Sequence, residues 1–216
     1  MDNRTSLKQD LTMAVQKLQS KHTHVKDAPI TDLDVGQQQV QLLNSLARSL
    51  ESHSPYPYPL SDQEAIKVLN GSWLLLYSDA QEIRSLSSLP LGLVVGKVFQ
   101  VIDIPSQSFE NKAYVHHRFG LMTGYVRITA TFEPKAPESE TLRNRGIQIQ
   151  FLKRHLNIHN LLGVRTPGLE PFKVMSASSP EGRIPSLDIT YLDQDLRLGR
   201  GGNGSLFILA RQPFTK

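Results

Sequence analysis

Over the first seventy residues of the chain, apolar positions recur at spacings of three and four; from Ser72 onward they recur at every second position. Leu7, Leu11, Ala14, Val15 and Leu18 make one stripe of helical period, and Leu42, Leu43, Leu46 and Leu50 make a second. The stretch "HVKDAPITDLDVG" between them reads as a loop. "SHSPYPYPLS" ends the second helix, because each proline removes a backbone donor and pushes its predecessor towards extended geometry. Ser61 or Asp62 stands where a side chain would cap a short helix through Leu69, and Gly71 where a helix C-terminus favours glycine.

The period of two opens in "SWLLLYS" (72–78) and continues in "KVFQVIDI" (97–104). In "SFENKAYVHH", Phe109, Ala113 and Val115 share a face opposite Glu110, Lys112 and His116. "LMTGYVRITATF" sets Met122, Val126, Ile128, Ala130 and Phe132 against Thr123, Tyr125, Arg127, Thr129 and Thr131. "GIQIQFLKRH" sets Ile147, Ile149 and Phe151 against Gln148, Gln150 and Leu152, and "SLDITYL", "LRLG" and "SLFILAR" complete the set. This pattern predicts an α+β, mainly β fold: N-terminal helices and an antiparallel barrel of about eight strands, with room inside for packed side chains or one small ligand. The expected division is a helical region over 1–70 and a barrel domain over 71–216. Residues 134–144 read as an exposed loop, and 165–184, rich in Pro, Gly and Ser, as a long connection fit for a lid.

Composition narrows the function classes. The 216 residues suffice for one good core, and no run approaches the length of a membrane-spanning helix. Zero cysteines exclude disulfides, thiolate metal sites and cysteine nucleophiles. The first residues hold early acids and no apolar core, which predicts neither a secretory signal nor a transit peptide. The net charge of +4 is uneven: 9 Lys/Arg against 11 Asp/Glu up to residue 104, then 15 against 9. Within the basic half, Arg143, Arg145, Lys153, Arg154, Arg165 and Lys173 face Glu170 alone. Such a face suits an anionic membrane surface, or else is simply solvated. Aromatic residues do not interleave with it, which argues against nucleic acid.

Candidate chemistry is sparse. "LGRGGNG" holds a G-x-G-x-x-G at Gly199, Gly201 and Gly204, but strand-like residues flank it on both sides and no helix follows. It reads as a hairpin turn, with Gly201, Gly202, Asn203 and Gly204 available for positive φ. His155 and His159 stand four apart on what is otherwise a strand, with no glutamate between them; no metal site is expected. Asp193 and Asp195 fit a turn, with an ion pair to Arg197, better than a catalytic pair. No nucleophile elbow or phosphate loop is present, so the expectation is a protein without enzymatic activity or cofactor.

Gly71-Ser72-Trp73 resembles the G-x-W that opens the first strand of lipocalins, where a basic residue of the last strand covers the indole; Arg211, or else Arg197, would do so here. Two longer blocks, "LNGSWLLLYSD" (69–79) and "LDITYLDQDLRLGRGGNGSLFIL" (187–209), resemble the two ends of the plastid lipid-associated proteins, or fibrillins. "GKVFQVID" (96–103) resembles that family's glutamine-containing strand, while Ile189 and Gly199 stand where a threonine and a serine are expected. The resemblance implies a lipocalin-like barrel that binds a lipophilic molecule, a carotenoid, quinone or acyl lipid, at thylakoids or lipid bodies. With no transit peptide, it implies a cyanobacterial-type member at the cytoplasmic side of the thylakoid or in the cytoplasm. The expected wall residues are Trp73, Tyr77, Phe99, Tyr125, Phe151 and Tyr191, with Arg127 and Arg197 as polar anchors at the mouth. "LPLGLVV" (89–95) would form an apolar lip or a membrane-touching loop, its alternative being a buried strand extension. Two other readings stand beside the carrier. One is a tetrapyrrole-handling barrel like the bilin lyases, with Arg127, Arg197 and Arg200 on propionates; the other is a filled barrel whose helices dock a protein partner.

Overall fold

The computed structural model describes residues 3–22, 25–136, 144–177 and 184–212. Three helices precede the strands: α1 (Asn3–His22), α2 (Gln37–Glu51) and α3 (Gln63–Leu69). Asp62 caps α3, its carboxylate accepting from the backbone N–H groups of Glu64 and Ala65 at 2.8 and 3.0 Å. The strands follow: β1 (Gly71–Ser78), β2 (Leu93–Asp103), β3 (Ser108–His117), β4 (Met122–Pro134), β5 (Gly146–Leu161), β6 (Val164–Arg165), β7 (Lys173–Ser176), β8 (Ser186–Leu192), β9 (Leu196–Gly201) and β10 (Leu206–Gln212). A short helix, α4 (Gln81–Arg84), and a 3₁₀ turn (Ser85–Ser88) lie between β1 and β2.

Among the described residues the strands belong to one antiparallel sheet, and eight of them close on themselves in the order β1-β2-β3-β4-β5-β8-β9-β10. Closure removes the unpaired edges that an open sheet would present. Strand β5, of 16 residues, pairs with β8 only from Gly146 to Gln148; its later residues outrun β8 and pair with β7 and β6. The sheet β2–β5 therefore overhangs one end of the barrel. At a bulge in this overhang Gly124 lies so close to β5 that a Cβ there would stand 2.1 Å from the Asn157 carbonyl oxygen.

The period of two yields two cores. Inside the barrel, Trp73, Leu75, Val98, Ile102, Phe109 and Phe132 pack with Ala65, Val68 and Leu69, so that α3 closes one end. Outside, Leu11 and Val15 of α1 and Leu43, Ala47 and Leu50 of α2 cover Leu74, Tyr191, Leu198 and Ile208. The linker between α1 and α2 is pinned to β1, because Ile30 donates to the Leu76 carbonyl and accepts from Ser78 N–H. In the β9–β10 turn only Gly204 has positive φ, at 83°, which corrects the expectation for Gly201, Gly202 and Asn203. The turn stays tight because the N–H of Gly201 donates to Ser205 O and that of Gly204 to Gly201 O. The expected loop at 134–144 and the connection at 165–184 lie partly outside the described residues; within the second, β7 pairs with β5.

Candidate functional site

The closed end of the barrel is organised around Trp73. It is the third residue of β1, just after α3, and its indole N–H donates to Leu69 O at 2.9 Å, which satisfies the ring's polar atom. Two guanidinium groups flank the ring, Arg211 at 5.1 Å and Arg197 at 5.2 Å from its centre. Arg211 reaches α3 and donates to the carbonyls of Val68 and Asn70, acceptors left free at the helix end. Arg197 lies inside the barrel, donates to Gln100 Oε1, and is 2% exposed. Gln100 in turn donates to Asn111 Oδ1 at 3.1 Å. Burial first, and then the Arg211 charge, lower the Arg197 pKa to about 9. A void of about 10 Å³, enough for roughly one water, lies beside Arg197 and Gln100 among Ile102, Phe109, Phe132 and Ile189.

Towards the other end the lining is half-buried, and Ile83 of α4 and Leu86 of the 3₁₀ turn also pack against the interior core. Val95, Ile149, Phe151 and Phe207 pack onto the interior core but are half-buried, Ile149 and Phe151 where β5 outruns β8. The turns at this end expose large apolar side chains. Leu91 precedes β2 and is 86% exposed; Phe119, at 73%, and Leu121 belong to the β3–β4 turn; Leu161, Leu162 and Val164 belong to the β5–β6 turn. Backbone hydrogen bonds tie these turns together, from Arg118 N–H to Gly92 O and from Leu162 N–H to Leu121 O. Arg118 lies over the Phe119 ring at 5.1 Å, and Arg165, opposite Asn160 in β6, is exposed. Glu170, the acid among them, is engaged by His159 at 2.7 Å. Of the stretch 89–95 expected to form a lip, Leu91 stands out here, while Leu93–Val95 begin β2 and pair with β3.

The expected wall residues fall into two groups. Trp73, Phe151 and Arg197 face the interior. Tyr77, Phe99, Tyr125, Arg127 and Tyr191 face outward, which corrects their expected place. A bulge between Leu75 and Tyr77 reverses the phase of β1 and puts Tyr77 under the helices. A bulge between Ile189 and Tyr191 does the same in β8. Phe99, Tyr114 and Tyr125 form an outer aromatic row, with Lys112 Nζ 4.1 Å over Tyr125 and Arg127 3.5 Å from Glu110. Arg200 lies under α2, held by Glu51 at 2.9 Å and Asn44 at 2.8 Å. Arg127, Arg197 and Arg200 are therefore not brought together, as a tetrapyrrole would need. Asp193 pairs with Lys8 at 2.7 Å rather than with Arg197, a further correction. Arg143 of the basic run lies outside the described residues.

Gln100 and Asn111 are the interior polar residues that pattern reading passed over. Each is a polar residue in the apolar phase of its strand, Gln100 between Val98 and Ile102, Asn111 between Phe109 and Ala113. Among the described residues no group of three His, Asp or Glu side chains is placed to hold a metal ion, and no helix is long and apolar enough to cross a membrane.

The profile of the PAP_fibrillin family matches residues 12–210. The chain belongs to the fibrillin family. It is 30% identical over 199 residues to plastoglobulin-1, chloroplastic, of Pisum sativum, covering 79% of this chain and 54% of that protein. It is 28% identical over 194 residues to the chromoplast-specific carotenoid-associated protein of Cucumis sativus, covering 77% and 59%. It is 30% identical over 199 residues to plastid lipid-associated protein 3, chloroplastic, of Brassica campestris, covering 77% and 52%. The chain thus spans a little over half the length of the curated relatives it matches. No solved structure matches it. The two sequence blocks that carry the fibrillin resemblance, 69–79 and 187–209, lie side by side in the barrel as β1, β10, β9 and β8. Their charged residues hold the fold: Asp79 accepts from Leu206 N–H at 2.7 Å, Asp193 accepts from Asp195 and Leu196 N–H, and Arg200 holds α2.

Proposed function

We propose that this fibrillin-family protein is a non-enzymatic carrier that works at an anionic lipid surface and takes a lipophilic molecule into the open end of its barrel. One observation carries the reading: the end at which the apolar lining is half-exposed is also the end that bears Leu91, Phe119, Leu162 and their neighbouring cations. Apolar turns with Arg118 and Arg165 beside them suit the interface of an anionic membrane, where each such cation adds about 1 kcal/mol. A lipophile would then pass from the lipid into the barrel without crossing water. Relatives described as plastid lipid-associated and carotenoid-associated support a lipid-related role, and chloroplastic relatives support a photosynthetic membrane, thylakoid or its cyanobacterial counterpart, as its setting. The test is co-sedimentation with vesicles of anionic and of neutral lipid. The wild type should bind anionic vesicles, and a Phe119→Ser, Leu162→Ser double variant of unchanged circular dichroism should bind at least about tenfold more weakly. Equal binding by the variant would place the contact elsewhere.

A second reading has one observation in its favour. The closed end leaves a void of about 10 Å³, far below a typical ligand cavity, so that half of the barrel serves as scaffold. In that reading α1 and α2 would dock a protein partner and the interior would carry nothing.

A further inference from the structure

Arg197 is built into the barrel at a cost that the fold does not explain. Its guanidinium has five N–H groups, and its one hydrogen-bond acceptor among the described residues is Gln100 Oε1. No carboxylate pairs with it among the described residues, and its nearest charge is the like charge of Arg211. The Trp73 ring offsets part of this cost, but that ring is already covered by Arg211. The two arginines differ in a telling way. Arg211 is satisfied by the end of α3, as a structural lid would be. Arg197 is more deeply buried, borders the interior void, and shares it with Gln100, whose own amide is oriented by Asn111. A methionine would fill the same volume without burying a charge. A buried, unpaired cation beside a void is the arrangement that receives an anion.

We propose that Arg197, with Gln100 behind it, binds the carboxylate of a single-chain amphiphile whose tail lies along the apolar lining towards the open end. This rests on the carrier reading above and narrows its cargo from a neutral lipophile to an acidic one. The monoanion follows from the single unpaired cation. The tail follows from Ile102, Phe109 and Ile189 around the void and the half-buried Ile149, Phe151 and Phe207 beyond it. The void takes roughly one water, so the head group enters as its lining side chains repack. A free small anion would satisfy the same cation, and the experiment separates the two.

The probes are cis-parinaric acid, a fluorescent polyene fatty acid, and its methyl ester, titrated into the wild type and into Arg197→Gln and Arg197→Lys variants checked by circular dichroism. The wild type should bind the acid about tenfold or more tightly than the ester, Arg197→Gln should bind both alike, and Arg197→Lys should keep part of the preference. The acid–ester comparison on the wild type stands even if a variant fails to fold. Equal affinity for acid and ester would overturn the carboxylate site while leaving the carrier intact. Binding of neither probe, with uptake of a neutral polyene, would do the same, and binding of no lipophile at all would end both. Raised thermal stability in acetate or chloride, without acid binding, would assign Arg197 to a free small anion and overturn the lipid proposal.

Discussion

Trp73 shows how much one side chain can organise. Its ring is fully buried, its N–H is satisfied by α3, and two arginines stack on it from β9 and β10. Trp73→Ala should therefore destabilise the fold by about 3–5 kcal/mol in urea unfolding, the range for removing a buried aromatic ring. Tyr77 makes the opposite case. Its hydroxyl is buried and has no hydrogen bond among the described residues, and burial pushes its pKa far up. Tyr77→Phe removes only that unsatisfied atom, so stability should stay level or rise by up to about 1 kcal/mol. A loss of more than that on thermal unfolding would mean that the hydroxyl has a partner. Trp73 was legible beforehand, because it opens a strand after a glycine and stands alone in the chain. Tyr77 and Tyr191 were not. A bulge inserts one residue, a one-residue shift inverts every later side chain, and nothing in "WLLLY" or "DITYL" marks the insertion.

Helix α1 is held to the barrel by an ionic contact as well as by Leu11 and Val15. Lys8 reaches Asp193 at 2.7 Å and Asp195 at 3.1 Å in the β8–β9 turn, where Tyr191 also donates to Asp193 at 2.6 Å. Burial alone would raise the Asp193 carboxyl, but Lys8, Tyr191 and the backbone N–H groups of Asp195 and Leu196 outweigh it and hold it below the usual carboxylate value. A carboxyl depressed in the folded state contributes stability at pH above its unfolded value, and that contribution is lost as pH falls through the folded one. Denaturation midpoints should therefore fall below about pH 4 more steeply in the wild type than in Asp193→Asn, with the two curves running parallel above pH 5. Parallel curves at every pH would show that this contact carries no proton linkage. At this scale the sequence was a good guide. The stripe of α1, the cap at Asp62 and the alternation in β3, β4 and β5 emerge as read, while in α2 Leu42 is exposed and Ala47 takes its place beside Leu43, Leu46 and Leu50. What the period could not supply was the partner of each charge. Asp193 finds Lys8 from 185 positions earlier, not the nearby Arg197, because α1 folds over the turn while Arg197 points inward.

Across the whole molecule the barrel has two unlike ends. One is sealed by α3, Trp73 and Arg211; the other has a half-buried lining and exposed apolar turns, with Arg118 and Arg165 beside them. The closed antiparallel barrel and the family were legible in the sequence, through alternation, turn spacing and two blocks that turn out to be neighbours in space. The contrast between the ends was not, since Leu91, Phe119 and Leu162 gather at one surface only once β2–β5 overhang the rest. The central claim is that this barrel carries a lipophile, and it is tested most directly by extracting the protein itself. Purified from a pigmented photosynthetic host, the protein should release a carotenoid, quinone or acyl lipid into organic solvent in stoichiometric amount, identified by mass spectrometry and absorbance. A fatty acid there would also support the site at Arg197. An extract holding no lipophile would contradict the account and leave the barrel as scaffold.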